Sequence, residues 1–231
     1  RGDVRRLTSG DYDHGDFSFS PDGSYLAVTA MRFEDADFME KQDLWLIEVP
    51  TGRMVQVLEG EGHLGCPRWS PDGSKIAFIG TDGSHGSSTT NSLWVLPVEG
   101  FLEQIDKRES FSAPTPLSMC DARNLTREMD RPVGNFVSCD MSYIGEDVPF
   151  AWIDDNSLFL LVCDKGATGL YEAVFNQDSE KYEATRLWSD PLKNALALRV
   201  GGRRTLLQIG SPSQTDNLYL LNRDEKGSSL S

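Results

Sequence analysis

A Ser-Pro-Asp-Gly turn between two short apolar stretches occurs twice in this chain, with its glycine at Gly23 and again 50 residues later at Gly73. In the second copy the proline presets φ for a tight turn, Asp72 can hydrogen-bond to nearby backbone, and Gly73 can take the left-handed conformation. Alternating large side chains at Ile76 and Phe78 then indicate a strand with one more buried face. The sequence therefore predicts two copies of one β-hairpin.

Each hairpin is followed by two more apolar stretches, so the predicted unit has four antiparallel strands. We predict such units over residues 17–58, 67–126, 149–188 and 195–222. Two sets of markers recur in the same order, turn residues and Leu-aromatic pairs: Gly23, Gly73, Asn156 and Gly202, then Trp45, Trp94, Tyr171 and Tyr219. Four-stranded repeats of this period are blades of a β-propeller. The predicted fold class is all-β, with a two-sheet sandwich as the alternative.

The two ends of the repeat do not match. Residues 4–8 read as an outer strand with no blade before it, and the fourth unit reads as lacking an outer strand. Either residues 4–8 close a four-bladed ring, or the four blades belong to a larger ring. We favour the larger ring. We also expect Asn156 to take the left-handed position held elsewhere by glycine, and residues 100–121 to form a loop insertion.

The charge, the apolar stretches and the cysteines of the chain limit the classes of function that it can have. The 231 residues carry a formal net charge of −14, so a cluster that neutralises phosphates is not expected and nucleic acid is excluded as a partner. No stretch is apolar enough to span a membrane. Cys66, Cys120, Cys139 and Cys163 are too scattered for a zinc or redox motif, and they favour a reducing compartment.

The sequence shows no catalytic or metal motif, so we predict no catalytic, metal-binding or cofactor-binding residue. The stretch 82–86 (Asp-Gly-Ser-His-Gly) departs from the Gly-x-Ser-x-Gly elbow and reads as a loop, and neither His14 nor His63 has the spacing of a triad. The aspartates at 11, 13 and 16 lack the glycine and final glutamate of a calcium loop.

Four further sequence features are interpreted as follows. Asp154-Asp155 is a solvated turn, and Asn124-Leu125-Thr126 is a glycosylation sequon on a predicted strand. The recurring aromatics listed above are expected to fill the space between neighbouring blades. Phe101, with Leu102, is hypothesised to contact a partner domain because it is apolar in a predicted loop.

The stretch from Trp69 to Phe78 resembles the propeller repeat of TolB-like proteins and of the prolyl oligopeptidase family. The run from Leu7 to His14 leading into the first hairpin is similar to the acylaminoacyl-peptidase and dipeptidyl-peptidase-like branch. Residues 43–46, 123–126 and 150–171 extend the similarity over nearly the whole chain.

The resemblance implies a two-domain serine peptidase in which an α/β-hydrolase domain outside this chain carries the serine, aspartate and histidine. The scattered cysteines predict that it is cytoplasmic. The propeller would cap that active site and admit only short peptides. The partners implied are this domain and peptide substrates, and a homo-oligomer is also allowed. A TolB-like scaffold for protein–protein interaction is the alternative function. A propeller sugar lyase would need clustered metal ligands that the sequence lacks.

Overall fold

The computed structural model describes residues 3–39, 41–107, 113–137, 148–179, 181–202, 204–224 and 227–231, and most of them lie in strands and turns. The strands form four separate four-stranded sheets, in each of which neighbouring strands are also consecutive in the chain. This up-and-down arrangement is that of propeller blades. The predicted all-β propeller fold with four blades is confirmed.

Blades 1 and 2 lie in one compact unit, Arg1–Thr89 with Leu93–Asn124, called unit 1. The strands of blade 1 are β1 (His14–Phe19), β2 (Tyr25–Ala30), β3 (Asp43–Glu48) and β4 (Met54–Leu58). Those of blade 2 are β5 (Leu64–Trp69), β6 (Lys75–Gly80), β7 (Ser92–Pro97) and β8 (Arg123–Asn124). One α-helix, α1 (Glu99–Lys107), follows β7.

Blades 3 and 4 lie in a second compact unit, Thr90–Ser92 with Leu125–Ser231, called unit 2. The strands of blade 3 are β9 (Phe150–Asp154), β10 (Ser157–Asp164), β11 (Ala167–Asn176) and β12 (Lys181–Trp188). Those of blade 4 are β13 (Asn194–Gly201), β14 (Arg204–Ser211), β15 (Gln214–Asp224) and β16 (Gly227–Leu230).

The core of unit 1 lies between its two blades. Buried residues of β2, β3 and β4 form one cluster with Trp69, Ile76, Phe78 and Trp94 of blade 2. The rings of Phe78 and Trp94 stack with their centroids 6.5 Å apart. Both blades therefore hold their position in unit 1 mainly through apolar burial.

The insertion after β7 contributes side chains to the core of unit 1. Phe101 and Ile105 of α1 are only 4% exposed and belong to the core of unit 1. The expectation that Phe101 contacts a partner domain is therefore wrong. Further along, Leu117 pairs with blade 1, donating its N–H to Val57 O (2.7 Å) and accepting from Glu59 N (2.9 Å). The insertion thus extends the outer edge of blade 1.

The core of unit 2 also lies between two blades. Phe159, Leu161 and Leu170 of blade 3 pack with Leu198 and Leu207 of blade 4. Because β9 is short, residues 132–134 continue its pairing along β10. Gly134 N donates to Leu161 O (2.9 Å) and Cys163 N donates to Pro132 O (3.1 Å).

Three local expectations are wrong. Residues 4–8 are not a strand, and blade 4 does have an outer strand, β16. The φ of Asn156 is not positive: the pairing of β9 with β10 shifts between Ser157 and Leu158, so the turn between Asp154 and Ser157 is not the regular two-residue turn that favours left-handed residues. The left-handed residues of blade 3 are Lys165 and Gly166, at φ 52° and 82°, in the turn after β10.

Candidate functional site

The first strands of blades 1 and 2, β1 and β5, lie side by side in unit 1. The Asp16 carboxylate accepts a hydrogen bond from the backbone N–H of Cys66 (Oδ2···N 2.8 Å), and Trp69 Nε1 donates to Ser18 O (3.2 Å). These two bonds tie the strands across the blade boundary. We call this group of four residues the first-strand junction.

Cys66 has a left-handed backbone, with φ of 54°, at a bulge where the register of β5 against β6 shifts between Gly65 and Arg68. A non-glycine residue in this conformation is strained, and bulges redirect backbone groups. Here the Cys66 N–H is paired with a carboxylate on the neighbouring blade. The first-strand junction is therefore a specific hydrogen-bonded contact between blades 1 and 2.

His63 lies at the edge of the junction. A Cβ added at Gly65 would stand 3.3 Å from both His63 Nε2 and Asp16 Oδ2, so the imidazole and the carboxylate flank the same glycine. The backbone N–H of His63 is held by Thr81 Oγ1 (3.1 Å), while its side chain is exposed. His14, at the start of β1, is also exposed. The sequence reading of residues 82–86 as a loop agrees with the structure.

That loop has no nucleophile elbow. Ser84 N donates to Asp82 Oδ1 (3.1 Å), Gly83 and Gly86 have φ of 64° and 58°, and a three-residue 3₁₀ turn follows. An elbow requires a sharp turn from a strand directly into a helix. The local backbone therefore gives Ser84 no support as a nucleophile.

The aspartates weighed as ion ligands do not form a site. Asp16 is engaged by Cys66, and Asp11 and Asp13 are exposed. Within the part of the chain that the structure describes, no three His, Cys, Asp or Glu side chains are placed to hold a metal ion. Of the turn pair, Asp154 caps its own turn by accepting from Asn156 N (2.8 Å).

The sequon and the recurring aromatics are parts of the fold. Asn124 pairs with Trp94 in the blade 2 sheet, and Thr126 is 2% exposed. Trp94 donates its Nε1 to Gly80 O (3.1 Å) inside the core of unit 1, and Tyr219 packs on the core of unit 2. Packing between neighbouring blades, as predicted, holds for these two aromatics.

An arginine stack on blade 1 was not anticipated from the sequence. The Arg32 guanidinium lies 4.3 Å from the ring centroid of Tyr12 and 5.7 Å from that of Trp45. Both guanidinium nitrogens Nη1 and Nη2 donate to Ser9 O at 3.3 Å. Cation–π contacts depend on tertiary structure, and nothing in the spacing of these residues indicates that they meet.

The two Ser-Pro-Asp-Gly turns carry the clearest electrostatic signal. Hydrogen bonds from the Ser20 hydroxyl and from Ser24 lower the pKa of Asp22 from 3.8 to about 2. Burial raises the pKa of Asp72, but hydrogen bonds from Ser70 and Ser74 outweigh it and the pKa is lowered. These carboxylates are turn formers that stay ionised, which does not suit a general acid.

At the start of β3 the effect of burial outweighs that of hydrogen bonding, and the net pKa shift is upward. Burial raises the pKa of Asp43, whose Oδ1 accepts from Gly60 N (3.0 Å) and whose side chain is almost fully buried. Cys66, Cys120 and Cys163 are free thiols, and Cys139 lies outside the described residues. Among the described residues, no helix is long and apolar enough to cross a membrane.

Comparison with known proteins gives one sequence relative and several structures of the same fold. The chain is 31% identical over 85 residues to the uncharacterized peptidase YuxL of Bacillus subtilis (strain 168), a match that covers 37% of this chain and 12% of that protein. No family model matches the chain.

A crystal structure of puromycin hydrolase matches 98% of this chain and 30% of its own, with a TM-score of 0.61 and 18% identity. TolB from Acinetobacter baumannii matches 97% of this chain and 44% of its own, with a TM-score of 0.55 and 14% identity. The chain thus spans less than half of each of these proteins. At such identities the likeness concerns the fold.

Proposed function

We propose that this chain is a non-catalytic propeller segment of a serine peptidase of the prolyl oligopeptidase type. The observation that carries the proposal is the 31% identity to a peptidase over 85 residues, in a chain with the blade architecture found in puromycin hydrolase. Since the chain spans 30% of that enzyme, most of such a peptidase would lie outside these 231 residues. The acylaminoacyl-peptidase-like branch is the finer form of this proposal.

The role we propose for the segment is to restrict access to the active site. An α/β-hydrolase domain would supply the nucleophilic serine and its histidine and aspartate partners. A propeller that caps such a site excludes folded proteins by size, so that short peptides are the substrates. Residues that hold blades together, such as Asp16 and Trp69, would then control specificity without touching substrate. A cytoplasmic location and the absence of nucleic-acid and membrane partners belong to the same proposal.

A fluorophosphonate probe on the natural full-length protein tests the peptidase assignment. We expect covalent labelling of the full-length protein and none of the 231-residue chain. An unlabelled, folded full-length protein would overturn the assignment.

The access role has a separate test within the full-length enzyme. Asp16→Ala removes the acceptor of the Cys66 N–H and loosens the first-strand junction, whereas Asp11→Ala changes an exposed carboxylate in the segment before β1. We expect Asp16→Ala to raise the cleavage of a long unfolded peptide relative to a dipeptide substrate, and Asp11→Ala to leave that ratio unchanged. Equal ratios in both variants would argue against gating by this junction.

A TolB-like binding scaffold is the second candidate, favoured by the match to TolB over 97% of the chain. It predicts that the full-length protein remains unlabelled by the probe and binds another protein through the propeller. The two candidates therefore differ in the outcome of the labelling experiment.

A further inference from the structure

The chain contains three Asp-Gly sequences, and the structure places them in two different environments. Asp22-Gly23 and Asp72-Gly73 lie in the Ser-Pro-Asp-Gly turns of blades 1 and 2, whereas Asp82-Gly83 lies in the loop between β6 and β7. An aspartate followed by glycine can react with its own backbone, because glycine has no Cβ to hinder its nitrogen or to restrict φ and ψ. The three sites therefore share one intrinsic reactivity.

The reaction is an isomerisation in which water is the leaving group and then the reactant. The glycine N attacks Cγ of the aspartate and an N–Cγ bond forms. One carboxyl oxygen leaves as water, with the proton of the carboxylic acid and the proton of the amide. Water then adds to either carbonyl carbon of the succinimide ring. Breaking the N–Cγ bond restores aspartate, whereas breaking the original peptide C–N bond leaves isoaspartate, in which the main chain runs through the side chain.

The backbone of the Ser-Pro-Asp-Gly turns opposes this ring closure. Gly23 N donates to Ser20 O and Gly73 N donates to Ser70 O, each at 2.9 Å. The attacking nitrogen must lose its proton and turn toward the aspartate side chain, so this hydrogen bond has to break first. Ring closure in either turn therefore requires local opening of the turn.

The side chains of the same turns keep the carboxyl group in its unreactive form. Only the neutral acid loses water readily, because a carboxylate would have to expel a doubly charged oxygen. Hydrogen bonds from Ser20 and Ser24 lower the pKa of Asp22 from 3.8 to about 2, and the pKa of Asp72 is also lowered. At neutral pH the neutral fraction of Asp22 is therefore about 10- to 100-fold smaller than that of an ordinary aspartate.

The loop between β6 and β7 lacks the backbone bond of the turns. Three residues before its glycine stands Gly80, whose O accepts from Trp94 Nε1 (3.1 Å) instead. Among the backbone groups that the structure describes, none accepts a hydrogen bond from Gly83 N. Asp82 Oδ1 accepts from Ser84 N (3.1 Å), but both turn aspartates have a bond of this kind, so it does not distinguish the sites.

We propose that Asp82-Gly83 is a site of spontaneous isomerisation to isoaspartate and that the two Ser-Pro-Asp-Gly turns protect their own Asp-Gly sequences from this reaction. The modification inserts one methylene group into the main chain of the loop. Thr81, directly before the site, donates its N–H to His63 O (2.9 Å), and its Oγ1 accepts from His63 N (3.1 Å). The altered loop thus adjoins the edge of the first-strand junction. This inference does not depend on the proposed function.

The test is peptide mapping of the natural full-length protein after long incubation at neutral pH in water enriched in heavy oxygen. Hydrolysis of the ring leaves one heavy oxygen in each site that has reacted, and chromatography separates isoaspartyl from aspartyl peptides. Because a turn must first lose a hydrogen bond, we expect Asp82 to react at least about tenfold faster than Asp22 or Asp72. Equal rates at the three sites, or no reaction at Asp82, would overturn the proposal.

The same protein unfolded in concentrated urea separates the effect of the fold from that of the neighbouring sequence. The turns are absent there, so the three sites should react at similar rates. If Asp82 kept its advantage in urea, the adjacent residues rather than the fold would be responsible, and the proposal would be wrong.

Three matched asparagine variants isolate the backbone contribution. Asp82→Asn, Asp22→Asn and Asp72→Asn close the same ring with loss of ammonia, which needs no neutral acid, and an amide oxygen can accept the same turn hydrogen bonds. Each replaces a residue outside the core, so each variant is expected to fold. Deamidation, measured by isoelectric focusing, should be at least about tenfold faster in Asp82→Asn than in the other two. Equal deamidation in all three would contradict protection by the turn backbone.

Discussion

Units 1 and 2 build the same hairpin in two different ways. In unit 1 the strands β1 to β7 are five or six residues long, and the turn after the first strand of each blade is fixed by side chains. In unit 2 the strands β10 to β15 run for eight to eleven residues, and the turn between β9 and β10 lacks the Ser-Pro-Asp-Gly sequence. One unit relies more on turn chemistry and the other on longer backbone pairing.

The turns of unit 1 are nearly identical in detail. In blade 2 the Ser70 hydroxyl donates to Asp72 Oδ1 (2.6 Å) and accepts from Lys75 N (3.0 Å), and Ser74 N donates to the same carboxylate oxygen (2.9 Å). Blade 1 repeats this pattern with Ser20 and Asp22, and both glycines have φ near 75°. The side chains therefore close the turn before a long ladder is needed.

Unit 2 obtains its register from the ladder. The pairing of β10 with β11 continues without a shift from Ser157↔Val174 to Asp164↔Ala167. A slip by one residue would move every apolar side chain to the opposite face, so a long regular ladder with one buried face fixes register strongly. This difference indicates that a blade can form without the Ser-Pro-Asp-Gly turn when its strands are longer.

The largest expected effect is one that the two units share. Trp69→Ala removes a large side chain from the core of unit 1, and Leu198→Ala removes a buried leucine from the core of unit 2. We expect losses of about 3–5 and about 2–5 kcal/mol in the free energy of unfolding. Urea unfolding followed by far-ultraviolet circular dichroism measures both. A loss below about 1 kcal/mol in either variant would show that this position does not anchor its unit.

A smaller effect should separate the units. Asp72→Ala deprives the fully buried Ser70 hydroxyl of its carboxylate acceptor and frees Ser74 N, so we expect a loss of about 1–2 kcal/mol. Asp154→Ala removes a single bond to Asn156 N at an exposed turn of blade 3, and about 0.5 kcal/mol is expected. The same unfolding measurement applies. Equal losses would contradict the division between turn chemistry and ladder length.

The strands of unit 1 could be predicted from the sequence because their turns are closed by residues that are close together in the chain. A turn closed by serine, proline, aspartate and glycine is local, so its residues are readable and its period reveals the blades. The four-blade all-β fold followed from that period. Blade 4 was read as incomplete because β16, Gly-Ser-Ser-Leu, has little apolar alternation and depends on pairing with β15.

Contacts distant in sequence were not predictable. Phe101 was misread because burial of α1 depends on where the insertion returns to blade 1, which no local pattern reveals. The bond from Cys66 to Asp16 joins residues 50 positions apart, and the strained φ of Cys66 has no sequence marker. The first-strand junction therefore emerged only from the structure, whereas the reading of Asp72 as a turn former came from the motif itself.

The smallest expected effect is a difference in acid and salt response between the charges that serve each unit. Because the pKa of Asp22 is lowered from 3.8 to about 2, and that of Asp72 is also lowered, ionisation of both stabilises the folded state above pH 3.8. This stabilisation is lost as the pH falls through the folded pKa values. Asp43, whose pKa is raised, acts with the opposite sign, but it is present in every variant and its contribution cancels in differences.

In unit 2 the corresponding group is Asp164, whose pKa is lowered by its hydrogen bond from Arg131 (Oδ1···Nε 2.6 Å).

The double variant Asp22→Asn with Asp72→Asn should have a lower melting temperature than the unmodified chain at pH 6. The two melting temperatures should converge near pH 2, and that of Asp164→Asn should also converge with the unmodified chain in acid. Raising the salt from 0.05 to 0.5 M at pH 6 should shrink the effect of Asp164→Asn, because a partly exposed ion pair is screened by salt. The turn variants should respond little, because hydroxyl and backbone N–H groups are their main donors. Equal salt responses of the two sets, measured by calorimetry, would contradict the assignment of the turn charges to local hydrogen bonding.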